Sequence, residues 1–443
     1  MEIIETFVYL AENRRTDGPA IEQLFRFDER ELAALELAAD ALAEQLAAVL
    51  ASAGAPANGG LATRPSDSPC QLFCRLYART AVLLQQRAGH RVEACRSMVE
   101  QSPSACRAIY EYEEEDTGRS AGALALLLMK ACCPLLDWTA VEWSGDPPDE
   151  STSLAQRLTG FLDFAMPRVL PRDTRALIEA ASRAGIPYLK LDRAPFKRES
   201  GDFRIRENSA LKLGHGCHQH IVDGNFCVDR SSAHEQLRSD RTEIIRFMQV
   251  SDLPLPERDK ESPNCSTWSR ARRSATRLGY PLVLKPVVKS PGSGVSVNIN
   301  DEAALAKAFE RAREYSRQVM IERHLSGDSY KLIIANRLLT GVVKLPALRG
   351  DARYGEDVTA VLHPSIAEAA VRAASTVDVG LLVFTLVSAD IGLPLAQTGA
   401  AFVDLDVAPA LDAFLPPGSP LLAAAAERFM ACLLYTSDAA DED

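Results

Sequence analysis

Apolar positions recur at helical spacing along residues 29–52 (ERELAALELAADALAEQLAAVLAS), which predicts an amphipathic helix. The first ~30 residues ahead of it read as strand and turns. AGAPANGGLATRPSDSP follows the helix, with Gly, Pro and Ser throughout, and reads as a linker. From Cys70 to Asp137 the pattern is helix, strand, helix. CQLFCRLYARTAVLLQQRAG has helical spacing, CRAIYEYEEE alternates like a strand, and GRSAGALALLLMKACC is a helix of small residues. The two prolines of GDPPDE, residues 145–150, mark a domain boundary.

From residue 156 helices and strands alternate. RALIEAASRAGIP, TEIIRFMQVSDLPLP and RARRSATRLGYP are helices that stop at Gly or Pro. PLVLKPV is a buried strand, and DEAALAKAFERAREYS is a helix with Asp301 as its N-cap. QVMIERH, SYKLIIAN and LTGVVKLPA are strands, and LLAAAAERFMACLL is the last helix. The last stretch, YTSDAADED, has the look of vector or adaptor sequence, and 432–443 are expected to be a non-native tail. The expected division is 1–69 helix and linker, 70–155 a small α/β domain, and 156–431 a larger one. The fold class is α/β (α+β).

Composition narrows the function classes. The chain has 443 residues and a formal net charge of −11, which argues against a dedicated nucleic-acid binder. It leaves room for a local basic pocket. Ten cysteines without a CxxC pair support neither a zinc scaffold nor a disulfide framework. The early residues lack a basic stretch followed by an apolar core, so no signal peptide is expected. The longest apolar run, Ala121 to Met129, is far short of the ~20 residues of a membrane span. Reduced thiols and a cytoplasmic location are expected.

Lys285 sits at the end of the apolar strand YPLVLKP, where an ammonium is costly unless it meets an anion. Lys289 follows, and then Gly292 and Gly294 bracket Ser293, a pattern that turns sharply and presents N–H groups to phosphate. The alternative is a hairpin with solvated lysines. Glu322 ends one strand, where by itself it reads as a surface acid, and Lys331 lies on the next. Asp404 and Asp406, two apart on AFVDLDV, share a strand face and repel unless a cation intervenes, which points to Mg²⁺. The alternative is a solvated edge. In GHGCHQH a strand would turn Cys217 away from His218 and His220, so a metal site is not favoured. Glu113 to Asp116 reads as a solvated strand end, Asp173–Thr174 as a helix cap, and His363 as a loop residue.

In this order the pieces resemble the ATP-grasp ligases, and among them the cyanophycin synthetases. ENSALKLGHGCHQHIVDG is similar to that group's S-x-x-x-LGxGxxQ stretch, with Ser209, Gly214, Gly216 and Gln219 in register. RSDRTEIIRFMQVSDLPLP, LGYPLVLKP, SPGSGVSVNI, IERHLSGDSYKLIIAN and VKLPA resemble its helix, lysine strand, phosphate loop, ER strand pair and R-x-P-A segment. IYEYEEEDTGRSAGALAL is similar to part of its N-terminal domain, so the resemblance runs over about residues 90 to 420.

The resemblance implies an ATP-grasp fold preceded by a smaller N-terminal α/β domain. It implies ATP and Mg²⁺, amino-acid and peptide or polymer substrates, no membrane or nucleic-acid partner, and a homo-oligomer. The implied reaction is carboxylate–amine ligation through an acyl phosphate, adding an amino acid such as aspartate. Arg241, Lys285, Lys289, Ser290, Gly292, Ser293, Gly294, Val295 and Glu322 would bind ATP. Lys331 and Lys344 would be catalytic, steadying the transferred phosphoryl group or the carboxylate. Ser209, Gly214, Gly216 and Gln219 would bind substrate, and Asp404, Asp406 and Asp390 the metal. The chain departs from the group's pattern. Arg241 replaces a lysine, and Lys331 and Lys344 replace arginines that would offer a bidentate fork. Asp404 and Asp406 replace a glutamate-x-asparagine pair, and Val387 stands where an upstream metal aspartate is usual. These departures support a rival reading, a degenerate module that binds nucleotide or peptide without turnover.

Overall fold

The computed structural model describes residues 1–11, 13–52, 61, 64, 66–100, 102, 104–134, 136, 152–191, 210–228, 232–289, 294–346, 353–377 and 379–438. They form two compact units, 1–171 with 189–210, and 172–188 with 211–443.

The first unit is built on a four-stranded antiparallel sheet. Its strands are β1 (Glu2–Tyr9), β2 (Ala20–Arg26), β3 (Cys95–Val99) and β4 (Ala105–Glu111), in the order β1-β2-β4-β3. Helices α1 (Glu29–Ser52), α2 (Pro69–Arg87), α3 (Glu115–Cys132) and α4 (Leu154–Ala165) complete it. Alternate residues of β2 and β4, among them Ile21, Phe25 and Tyr110, enter one core with Leu35 and Leu42 of α1 and Phe73 and Tyr77 of α2. Residues 1–69 and 70–155 therefore share a sheet and a core, because β2 pairs with β4 from Ala20↔Glu111 to Arg26↔Ala105. The division expected at 69/70 does not follow the strand pairing.

The acid run at 113–116 is not a solvated strand end. Glu113 and Glu114 are buried. Glu114 caps α3, accepting from the N–H of Asp116 and Thr117, which removes two orphan donors from the first turn. Glu113 Oε2 lies 3.1 Å from Nδ1 of buried His90.

The second unit begins with α5 (Arg172–Arg183), with β5 (Tyr188–Lys190) at the boundary, followed by β6 (Ala210–Leu213), β7 (His220–Asp223) and β8 (Phe226–Cys227). Helices α6 (Ser232–Ser239), α7 (Arg241–Val250) and α8 (Trp268–Leu278) precede a three-stranded antiparallel sheet. Its strands are β9 (Leu282–Pro286), β10 (Ser296–Ile299) and β11 (Val319–Arg323), in the order β10-β9-β11. Helix α9 (Glu302–Arg313) joins α8 on it, and Leu284, Ile321, Ala275 and Leu305 form their shared core. Asp301 caps α9 through the N–H of Ala304, at the expected position.

A five-stranded antiparallel sheet follows: β12 (Asp328–Ala335), β13 (Leu338–Lys344), β14 (Glu356–Asp357), β15 (Leu381–Ser388) and β16 (Ala401–Asp406). The order is β14-β13-β12-β15-β16. One face packs on α7 and on α10 (Pro364–Val377), with Leu332, Phe384, Phe402 and Leu405 facing Ile244, Met248 and Ile366. The other packs on α5 and α12 (Pro420–Asp438), with Ile333 and Val383 against Leu177 and Phe429. Cover on both faces explains why KLIIAN is apolar at successive positions rather than alternating. The short helix α11 (Leu395–Thr398) connects β15 to β16.

Two expectations change here. Asp173 lies inside the first turn of α5, and its Oδ1 accepts the N–H of Asp412 at 3.0 Å, so it ties a distant loop rather than capping the helix. His215–His220 is not a continuous strand: Gly216–His218 form a 3-10 turn before β7. Cys432 and Leu433, the first residues of the expected tail, are buried. Residues 439–443 lie outside the described residues. Among the described residues no helix is long and apolar enough to cross a membrane.

Candidate functional site

Lys285 projects from β9 inside the second unit, and burial makes its charge depend on a partner. Its Nζ lies 2.6 Å from Glu322 Oε2 and donates to the carbonyl of Val403 at 2.9 Å. Register explains the first contact: Glu322 pairs with Val283, two residues from Lys285 on the same strand face. A bulge explains the second. β16 pairs Thr385 with Asp404 but Leu386 with Phe402, so Val403 is an extra residue whose carbonyl leaves the ladder.

The same bulge sorts the side chains. In an unbroken strand Phe402 would share a face with Asp404 and Asp406. Here Phe402 and Leu405 both enter the apolar core, while the two aspartates face the other way. Lys331, Thr385 and Asp404 then stand side by side across three strands. Lys331 Nζ donates to Thr385 Oγ1 at 2.8 Å.

Two further cations approach from the α6–α7 side. The side chain of Lys289 donates to the carbonyl of Leu405 at 2.6 Å and lies 3.5 Å from Asp406 Oδ1 and 4.0 Å from Asp404 Oδ1. Arg241 opens α7, is buried, and donates from Nη1 to the Pro286 carbonyl at 2.8 Å. Among the described residues its buried Nε has no hydrogen-bond partner. Burial alone would raise the pKa of Asp404. The charges of Lys289, Arg241, Lys285 and Lys331 outweigh it and hold the carboxyl below its ordinary value. Burial draws Lys331 down, against the pull of Asp404 and Asp406. Four cations thus meet three carboxylates, an excess of positive charge with an unsatisfied donor. That set fits an anion with several oxygens, such as a phosphate chain.

A protein cage for a divalent cation is not formed among the described residues. Among the described residues no three His, Cys, Asp or Glu side chains are placed to hold a metal. Asp390 is exposed, and its Oδ1 accepts from the N–H of Gly392. Asp390 acts on Tyr330, whose side chain lies on the opposite sheet face from Lys331. Val387, on the carboxylate face, offers no oxygen. The Asp404–Asp406 pair already has an ammonium against it, so these residues do not suit an added divalent ion.

Lys344 pairs with Tyr330 across the sheet and so also faces away from Lys331; its Nζ lies 2.6 Å from Asp328. The two catalytic candidates are not brought together. Gly294 is described, with φ +75°, and a Cβ there would stand 2.8 Å from the Tyr315 ring and 3.1 Å from Pro286, so only glycine fits. Val295 follows it. Ser290, Gly292, Ser293 and Ser209 lie outside the described residues. Gly214, φ +70°, closes the β6–β7 turn against the carbonyl of His218, with Gly216 and Gln219 in the same turn. Sequence reasoning missed Thr385 and Arg258. The backbone of Arg258 forms an isolated β-bridge with that of Glu322, and burial lowers the guanidinium pKa against the pull of the Glu322 charge. Only strand register, which no motif encodes, would have found either.

A family model described as D-ala D-ala ligase C-terminus matches residues 252–344, the stretch that carries Lys285, Lys289, Glu322 and Lys331. Cyanophycin synthetase from Trichormus variabilis is 24% identical over 293 residues, 66% of this chain and 29% of that protein. This chain resembles an ATP-grasp ligase of the cyanophycin synthetase kind. The Synechocystis enzyme is 22% identical over 271 residues, 60% of this chain and 28% of that protein. The chain therefore spans under a third of the length of these cyanophycin synthetases. Among solved structures, a RimK domain protein ATP-grasp from Sphaerobacter thermophilus covers 44% of this chain and 68% of its own, with 21% identity and a TM-score of 0.34.

Proposed function

We propose that the second unit binds ATP and catalyses ATP-dependent ligation of a carboxylate to an amine through an acyl phosphate. The observation that supports this is the convergence of Lys285, Lys289, Arg241 and Lys331 on the Glu322 and Asp404–Asp406 carboxylates. Preorganised cations lower the energy of a transferring phosphoryl group by matching its charge without rearranging during reaction. Lys285 and Arg241 hold phosphate oxygens, Glu322 accepts from the ribose, and Lys331, on the carboxylate row, steadies the group in transfer. The acceptor is a peptide or polymer carboxylate, and the incoming group an amino acid such as aspartate.

The rival reading, binding without turnover, is favoured by one observation: Lys289 sits against both aspartates. Phosphate release from Mg·ATP, with and without aspartate and a short poly-aspartate primer, separates the two. Release that needs both substrates, with growth in primer mass, is expected of a ligase. Nucleotide binding without release would establish the rival.

A further inference from the structure

Two carboxylates on one strand face need a compensating positive charge. In this chain a lysine supplies it. Lys289, an ammonium on a flexible stem, donates to the Leu405 carbonyl at 2.6 Å and stands in ion-pair range of Asp406 at 3.5 Å and Asp404 at 4.0 Å. The residue is held at both ends. Its backbone N–H donates to the Ser239 carbonyl at 2.8 Å, and its side chain is only 10% exposed. The carboxylates are held too, Asp404 by the N–H of Leu405 at 3.0 Å and Asp406 by that of Ala408 at 3.2 Å. Among the described residues nothing completes a three-ligand metal group around them. A divalent ion entering the pair must evict an ammonium that these contacts hold in place.

We infer that Lys289 is a built-in counter-cation, holding at the Asp404–Asp406 pair the place a divalent ion would take. Nucleotide phosphates would then meet protein cations where a metal would otherwise stand. The inference rests on the nucleotide-binding reading of this site, and its test separates the two.

The full chain is titrated with Mn²⁺ alone, followed by electron paramagnetic resonance. In parallel, a non-hydrolysable ATP analogue is titrated by calorimetry in EDTA and in Mg²⁺. For the unaltered protein Mn²⁺ should bind only weakly, and analogue affinity should change by less than about threefold between the two buffers. Lys289→Met keeps the stem and removes the charge. It should tighten Mn²⁺ binding about tenfold or more and make analogue binding depend on Mg²⁺ to a similar degree. Adding Asp406→Asn to that variant should abolish the gained Mn²⁺ site, which places it at the pair. Unfolding midpoints of each variant establish that it folds.

Equal Mn²⁺ affinity in the unaltered and Lys289→Met proteins would overturn the inference. So would a tenfold loss of analogue affinity in EDTA for the unaltered protein. Loss of analogue binding in both buffers would instead remove the nucleotide reading, and the Mn²⁺ titration alone would then decide the role of Lys289.

Discussion

Lys285 and Glu322 show how a buried pair constrains substitution one residue at a time. Each is buried, and the two charges stand 2.6 Å apart. Replacing Lys285 by Met leaves a buried carboxylate without its ammonium, which should cost about 3–5 kcal/mol in a urea unfolding experiment. Adding Glu322→Gln should recover much of that loss without restoring a nucleotide-dependent thermal shift. Full recovery of that shift would remove Lys285 from the anion site. Asp404 makes the matching pH statement. Its folded pKa lies below its ordinary value, so its contribution is complete above about pH 3.9 and is lost as pH falls through the folded value. Asp404→Asn should therefore lower the urea midpoint at about pH 7, by a margin that narrows as pH falls below about 3.9. A constant gap across that range would contradict the assignment.

Much of the element pattern was legible in the sequence, because periodicity reports burial. Helix α1, the α8–β9 pair, the capped α9 and the apolar β12 follow from spacing, turn residues and Asp301. Lys285 and Asp404 were legible as charges in apolar strands, which are costly without partners, whereas Glu322, at a strand end, reads by itself as a surface acid and is in fact buried. Strand register was not legible. It separates Lys344 from Lys331 and places Thr385 beside Asp404, and it depends on pairings made across the sheet. The buried Glu114 cap was also hidden, since an acid run reads as solvated until the helix it opens is known. The early strands were assigned apart from residues 70–155 because nothing local announces that β2 pairs with a strand about 80 residues on.

At the scale of the whole chain, the two units have separate hydrophobic cores, and the cation cluster belongs to one of them. Amide exchange with and without a nucleotide analogue should therefore show new protection on β9, β11, β12, β15 and β16. Protection in α2 and β2 should stay unchanged. Protection confined to the first unit would place the nucleotide elsewhere. The Val403 bulge makes one stretch of this long chain sensitive to its length in residues. Side chains at 402–406 can vary within their kind, but removing Val403 would force either Phe402 into the charged site or the aspartates into the apolar core. Insertions and deletions that surface loops absorb would here exchange the two faces of a strand, so the spacing from Phe402 to Asp404 is itself under constraint.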